Sequence, residues 1–363
     1  MDKLMNSVNI AKPEEKYILM FKNIEVAIVN RRTGVVNIKA NQYMPYSLYL
    51  EELDDIDTRV QNINNFDFWC ADRLLSIKRE YYKEIVNACG FTQATTDRQR
   101  AEVAIECRCL SLQDQYWIKK PSEIITWDEV SLFSNSLNDI FIDVCLRGKN
   151  MSITDLSPVI QNITVDGVIA KAWKRNTDGL YLLKAGSEEQ VNKEVEASNI
   201  LQQLGFNVVP YISAYWQNNP ITMCKCFTNK DIGFVTAEAY GYNNNIDCLT
   251  DNFLEKFWQL TLSEYLIGNS DLHGRNWGFL IKDGDVVDMA PLFDFDHAFE
   301  LDYSDDKLES KVWRTLGTKK LLKWSAAHAC QMLGLKQEDF HLIKNQYIHE
   351  AVNELYCYIR KNI

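Results

Sequence analysis

The chain has little of what would set it apart from ordinary globular proteins. Its 363 residues include 7 prolines and 15 glycines, too few for a disordered or low-complexity chain. Ten cysteines contain no C-x-x-C, and the close pairs are Cys107/Cys109 and Cys224/Cys226. That spacing suits chelation poorly, so buried reduced thiols are expected rather than disulfides or zinc. Positive charge is short: 39 Lys and Arg against 50 Asp and Glu leave a net charge of -11. Such a balance opposes broad contact with nucleic acid or an anionic membrane. No apolar run approaches the length of a membrane span, and Met1 to Tyr17 lack the continuous apolar core of a signal peptide. A cytoplasmic protein with neither membrane nor direct nucleic-acid contact is expected.

What is present is a globular composition, 46% hydrophobic and 25% charged, on a length that favours two domains with a small third element. Residues 16–40 alternate as a β meander broken at Arg32-Thr33-Gly34. Helical spacing then dominates: one stretch runs from Phe66 to Gly90, a second from Asp97 to Leu112, and the capping box Thr126-x-x-Glu129 opens a short third. Residues 1–150 therefore read as a mixed N-terminal docking or regulatory domain. From Asn162 strand signals return, with a turn at Asp178-Gly179, then a helix over 188–206 and two more strands, giving a β-rich region over 160–250. Residues 251–363 read as mainly helical, with helices around 319–333 and 337–360.

The segment Gly268 to Phe299 carries the chemistry. Two apolar runs, Trp277 to Ile281 and Val286 to Met289, flank Asp283-Gly284, a strong hairpin turn. Folding about that turn returns Asp294 to the neighbourhood of Asn276, because paired strands lie about 5 Å apart. Asp271 and Asn276 form D-x-x-x-x-N, which on a helix would point about 140° apart; convergence needs a loop, and Gly268 and Gly274 allow one. In phosphoryl transfer a carboxylate in such a loop accepts the hydroxyl proton while an amide oxygen and a second carboxylate hold Mg²⁺. The bland alternative is a set of polar residues solvating a turn. Lys184, in the apolar strand LYLLKAG, suits nucleotide phosphates if it faces a cleft. Its helix partner is Glu194 or Glu196, which face different directions. Backbone amides near Gly167 are candidates for covering phosphate. His273, His297 and Asp296 flank the motif without an assigned role.

These residues resemble the HipA family of bacterial serine/threonine kinases. Its N-x-D-x-H-x-x-N signature appears as Asn269 to Asn276 and its A-P-x-[YF]-D signature as Ala290 to Asp294. A phosphate-loop pattern matches Thr164 to Lys171, and E-x-x-A-S matches Glu194 to Ser198. The resemblance implies an α+β, two-lobed protein-kinase-like fold, with an additional mixed N-terminal domain and an all-helical C-terminal part. It implies ATP and Mg²⁺ as cofactors, Asp271 as catalytic base, Asn276 and Asp294 on Mg²⁺, and Lys184 on the phosphates with Glu194 as its partner. It further implies adenine binding by a hinge, for which Lys225, Cys226 and Phe227 are the candidates, and autophosphorylation at Thr164. A protein substrate with a Ser or Thr acceptor, an antitoxin or regulatory protein as partner, and a toxin–antitoxin role follow by the same resemblance. A small-molecule or lipid phosphotransferase and a nucleotide-binding scaffold without turnover remain the competing readings.

Overall fold

A computed structural model of the chain describes residues 15–91, 94–135, 137, 140–149, 167–242, 251–303 and 322–362. The N-terminal meander forms β1 (Lys16–Phe21), β2 (Ile24–Asn30) and β3 (Val36–Ile38), and a fourth strand, β4 (Tyr116–Lys119), pairs antiparallel with β1 to complete a sheet of order β3-β2-β1-β4. Alternation sends Leu19, Phe21, Ala27 and Val29 into a core closed by Phe66 and Trp69 of α1 (Ile56–Asp72) and by Ala101, Ala104 and Ile105 of α3 (Asp97–Glu106). The Asp55 carboxylate accepts from Thr58 N at 2.9 Å and caps α1.

Tertiary contacts override two of the long helical stretches expected here. The first ends at Asp72 and resumes only as α2 (Tyr82–Ala88), because Arg79 between them is buried and donates to the Lys171 carbonyl. The second stops at Glu106, where Arg108 and Cys109 reverse the backbone at φ +56° and +51° before β4. The capping box Thr126/Glu129 does open a short helix, α4 (Trp127–Val130), and α5 (Ile140–Arg147) follows.

A second four-stranded antiparallel sheet contains β5 (Lys171–Asn176), β6 (Gly179–Ala185), β7 (Tyr211–Trp216) and β8 (Asn219–Lys225), in the order β5-β6-β8-β7. Asn176 pairs with Gly179, so the turn is Thr177-Asp178, one residue before the expected Asp178-Gly179. One face of this sheet sets Ala172, Leu183 and Ile221 into a core shared with α2 and α5. The other face looks toward α6 (Glu188–Gln203), whose N-terminus is closed by a Ser187/Gln190 capping box.

The third sheet has the order β11-β10-β9, with β9 (Gly233–Thr236), β10 (Gly278–Lys282) and β11 (Asp285–Met289). Asp283 and Gly284 hold φ +50° and +95° between paired Lys282 and Asp285, the two-residue hairpin that the Asp-Gly pair predicts. Helices α7 (Asp251–Leu266), α8 (Leu322–Met332) and α9 (Gln346–Asn362) bury the main apolar core against these strands. The helix expected over 337–360 is divided into a single 3₁₀ turn, Gln337–Phe340, and α9, which starts where Asn345 Oδ1 accepts from Ile348 N. Cysteines of the described residues are unpaired thiols, buried except for half-buried Cys226 and exposed Cys357. Among the described residues no helix is long and apolar enough to cross a membrane.

Candidate active site

Strand alternation on the second sheet creates a polar row inside the protein. Lys171 pairs with Lys184, and Lys184 pairs with Thr222, so all three side chains share the face opposite Ala172 and Leu183. All three are buried. Lys184 Nζ lies 2.6 Å from Glu194 Oε1, 2.8 Å from Asp294 Oδ1 and 3.4 Å from Asp296 Oδ2. The second oxygen of Glu194 accepts from Thr222 Oγ1 at 2.6 Å. Burial alone would push the Lys184 ammonium toward neutrality, but the three carboxylates outweigh it and hold its pKa well above the ordinary range. Burial likewise raises the Asp294 carboxyl, yet Lys184 and Lys171 overcome that effect and keep it below its usual value.

Glu196, the alternative helix partner, faces away. It accepts from Asn345 Nδ2 at 2.6 Å and lines a cavity of about 610 Å³ on the side of α6 opposite Glu194.

The loop between α7 and β10 begins at Gly268, where φ is +58° and an added Cβ would lie 1.8 Å from the Tyr347 hydroxyl. A left-handed glycine there turns the chain out of the helix while Tyr347 closes over it. Asn269 Oδ1 then accepts from Asp271 N at 3.2 Å, and Asn269 Nδ2 donates to the Asp294 carbonyl at 3.4 Å. One amide thus ties together the two acidic segments. Asn276 Nδ2 donates to the Asp271 carbonyl at 3.1 Å, which leaves Asn276 Oδ1 as the end suited to a hard cation. The Asp271 carboxylate is half exposed, with His273 Nε2 at 3.8 Å. Asp294 sits at φ +69° and its N–H donates to the Tyr211 hydroxyl at 3.2 Å. A non-glycine residue in that left-handed region is strained and needs surrounding contacts to hold it.

Comparison with known proteins bears on the family and the fold. The model of the HipA-like C-terminal domain matches residues 157–355. The chain belongs to the HipA-like family. A serine/threonine-protein kinase, CtkA of Helicobacter pylori strain J99, is 25% identical over 147 residues, which are 32% of this chain and 45% of that protein. The chain therefore spans less than half the length of the curated relative it matches. The HipA of Shewanella oneidensis MR-1, solved with HipB and operator DNA, superposes with a TM-score of 0.52 at 11% identity, over 95% of this chain and 97% of its own. That likeness extends the fold through the N-terminal region. A crystal structure of the proinflammatory kinase CtkA of H. pylori has a TM-score of 0.38 at 18% identity, covering 53% of this chain and 88% of its own.

Within this HipA-like chain the remaining candidates differ in how they are placed. Gly167 has φ +104°, and the space where a Cβ would point is filled by Lys171 Nζ at 2.5 Å. Of the hinge candidates, Lys225 is exposed and 3.5 Å from Asp178, and the Cys226 N–H is taken by the Leu180 carbonyl at 2.8 Å. Phe227 packs its ring on Phe234 and Phe293. Its own N–H and C=O make no backbone hydrogen bond among the described residues. Thr164 lies outside the described residues. His297 Nδ1 is 3.0 Å from Glu300, which also accepts from Ser270 Oγ, a loop-bracing role.

Sequence reasoning reached Lys171 only as the last residue of the phosphate-loop pattern, with no role of its own, and left Asp296 unassigned. Lys171 was legible in principle, because counting outward from the Thr177-Asp178 turn sets it opposite Lys184. Placing that turn one residue late puts Trp173 there instead.

Proposed function

We propose that the chain is an ATP- and Mg²⁺-dependent kinase that transfers the γ-phosphoryl group to a serine or threonine hydroxyl of a protein. The observation that carries this reading is the pair of buried, cross-strand lysines. Like charges directly opposite on a sheet are destabilising. Lys184 is compensated, but among the described residues the Lys171 ammonium has no ion-pair partner within 4.0 Å. A polyanion such as a triphosphate would give the Lys171 ammonium a direct ionic contact. The oxygen donors suit the metal: an amide oxygen and a carboxylate match the few hard ligands that Mg²⁺ takes from a protein alongside phosphate.

When bound, ATP supplies the phosphoryl group and Mg²⁺ neutralises part of its charge. Lys184, fixed by Glu194 and Thr222, and Lys171 beside Gly167 hold the phosphates. Asn276 and Asp294 would hold the metal. Asp271 accepts the proton of the incoming hydroxyl. Its half-exposed carboxylate leaves room for an acceptor carried on another protein, which favours a protein substrate over a small enclosed one. The name of the H. pylori relative supports serine and threonine as acceptors. The Shewanella HipA is solved with HipB and operator DNA, and a regulatory protein of that kind is the partner we propose.

Incubation of the full-length protein with labelled ATP and Mg²⁺ is expected to label the protein itself or an added protein substrate. Asp271→Ala is expected to reduce transfer by roughly 10²- to 10⁴-fold, the range of general-base loss. Full activity in that variant would sink the assignment. Mass spectrometry of the labelled protein decides whether Thr164 is the modified hydroxyl.

A further inference from the structure

The start of β5 is braced from outside its own sheet, by residues that the transfer scheme above does not use. β5 is an edge strand, and the Ala170 carbonyl accepts from Ala185 N at 2.9 Å. Backbone groups of the next residue, Lys171, therefore point to the open side, where they need partners from elsewhere. The turn between α1 and α2 supplies them. Arg79, 3% exposed, donates through Nη2 to the Lys171 carbonyl. Glu80 N donates to the Val168 carbonyl at 2.9 Å, and the Glu80 carboxylate accepts from Ala170 N at 3.4 Å. Two adjacent residues of the N-terminal region thus hold Val168, Ala170 and Lys171 by their backbones.

Side-chain packing does little for the tip of this loop, since Val168 is 56% exposed. The loop backbone and the Lys171 ammonium are set together: Gly167, at φ +104°, lets Lys171 Nζ come within 2.5 Å of where a Cβ would stand. A shift of the backbone here would carry the ammonium away from its place opposite Lys184. We propose that Arg79 and Glu80 are positioning residues for nucleotide binding, which hold the backbone from Val168 to Lys171 and so fix where the Lys171 ammonium meets phosphate. The N-terminal region is then a structural part of the nucleotide site, not only a docking module.

The role of both residues rests on the kinase reading of the site, and two measurements keep the questions apart. Full-length wild type, Arg79→Lys, Arg79→Met, Glu80→Gln and Glu80→Ala are compared by calorimetry with a non-hydrolysable ATP analogue and Mg²⁺, and in phosphoryl transfer. Methionine keeps much of the bulk of Arg79 without a donor, so Arg79→Met is expected to weaken binding about tenfold, whereas Arg79→Lys, which keeps a donor, stays within about threefold of wild type. Glu80→Ala is expected to weaken binding about threefold, and Glu80→Gln, whose amide oxygen still accepts from Ala170 N, to match wild type. The KM for ATP should rise with these losses while kcat at saturating ATP stays within about twofold, since Asp271 is untouched. Glu80 is exposed, so its two variants decide the matter even where Arg79→Met does not fold. Wild-type affinity in Arg79→Met or in Glu80→Ala, equal losses in Glu80→Gln and Glu80→Ala, or a fall in kcat at unchanged KM would each overturn the proposal. If wild type binds no nucleotide, the kinase reading fails, and the brace is read by amide hydrogen exchange. The Ala170 amide is then expected to exchange about threefold faster in Glu80→Ala than in Glu80→Gln, with β6 and β8 unchanged. Equal rates would overturn it.

Discussion

Both four-stranded sheets of this chain carry buried charge, and they handle it differently. Beside β2, Arg31 is held by Asp67 at 2.5 Å, with Glu102 a distant second at 3.9 Å. At the end of α1, Arg73 grips both oxygens of Asp114 at 2.8 and 2.7 Å. Each of these cations has its own carboxylate, in a geometry that planar guanidinium favours. On the sheet β5-β6-β8-β7, Lys184 is crowded by three carboxylates, while cross-strand Lys171 has none within ion-pair distance among the described residues. Matched charge supports a fold. Unmatched buried charge, lysine on one side and surplus carboxylate on the other, is the signature on which the proposed nucleotide and metal site rests.

If that contrast is right, removing Asp67 damages stability and spares chemistry. Asp67→Ala leaves the Arg31 guanidinium, 6% exposed, without its main partner, and breaking such a buried pair costs about 3 kcal/mol or more. Chemical denaturation should show that loss, while kcat per folded molecule stays at the wild-type level. A variant of full stability but reduced transfer would place the N-terminal pair in the function and dissolve the comparison.

Lys171→Met tests the other side. It relieves the repulsion between two adjacent ammonium groups but also removes the attraction of Lys171 for Asp294, so the ligand-free protein should melt at about the same temperature. Binding of ATP with Mg²⁺ should weaken by about tenfold, close to 1.4 kcal/mol, as measured by calorimetry. A drop in stability of the size expected for Asp67→Ala would show that Lys171 is structural after all.

The elements legible in the sequence were those whose signal is local. Asp283-Gly284 dictates a tight hairpin by backbone preference alone, and the pairing of Lys282 with Asp285 follows. Thr126 with Glu129, and the helix over Glu188–Gln203, were set by caps and periodicity. Strands β4 and β9, four residues each, escaped because so short an apolar run has no period to read. What sequence could not show is how the N-terminal region meets the site. Arg79 donates to the Lys171 carbonyl, Glu80 N to the Val168 carbonyl, and Asp72 lies 2.8 Å from Arg275 of the loop between α7 and β10. Those contacts join residues 88 to 203 positions apart, and they also break the long helix that periodicity predicts. Residue spacing alone left Glu194 and Glu196 as alternatives; the family resemblance favoured Glu194, and the structure sets Glu194 Oε1 2.6 Å from Lys184 Nζ.

The smallest expected effect concerns a third class of charge, the exposed pair. Lys225 is a hinge candidate by position, yet its ammonium is 54% exposed and lies 3.5 Å from Asp178, itself 60% exposed. Water screens such a pair, so Lys225→Ala should change stability by no more than about 0.5 kcal/mol. Its backbone belongs to β8, in register with Tyr181, and that pairing survives truncation of the side chain. The KM for ATP should therefore stay within about twofold of wild type, because adenine is expected to meet backbone groups of Phe227. Steady-state kinetics over a range of ATP concentrations checks this. A large rise in KM would mean that the Lys225 side chain reaches the nucleotide, and that an exposed cation, not only the buried pair of lysines, contributes to binding it.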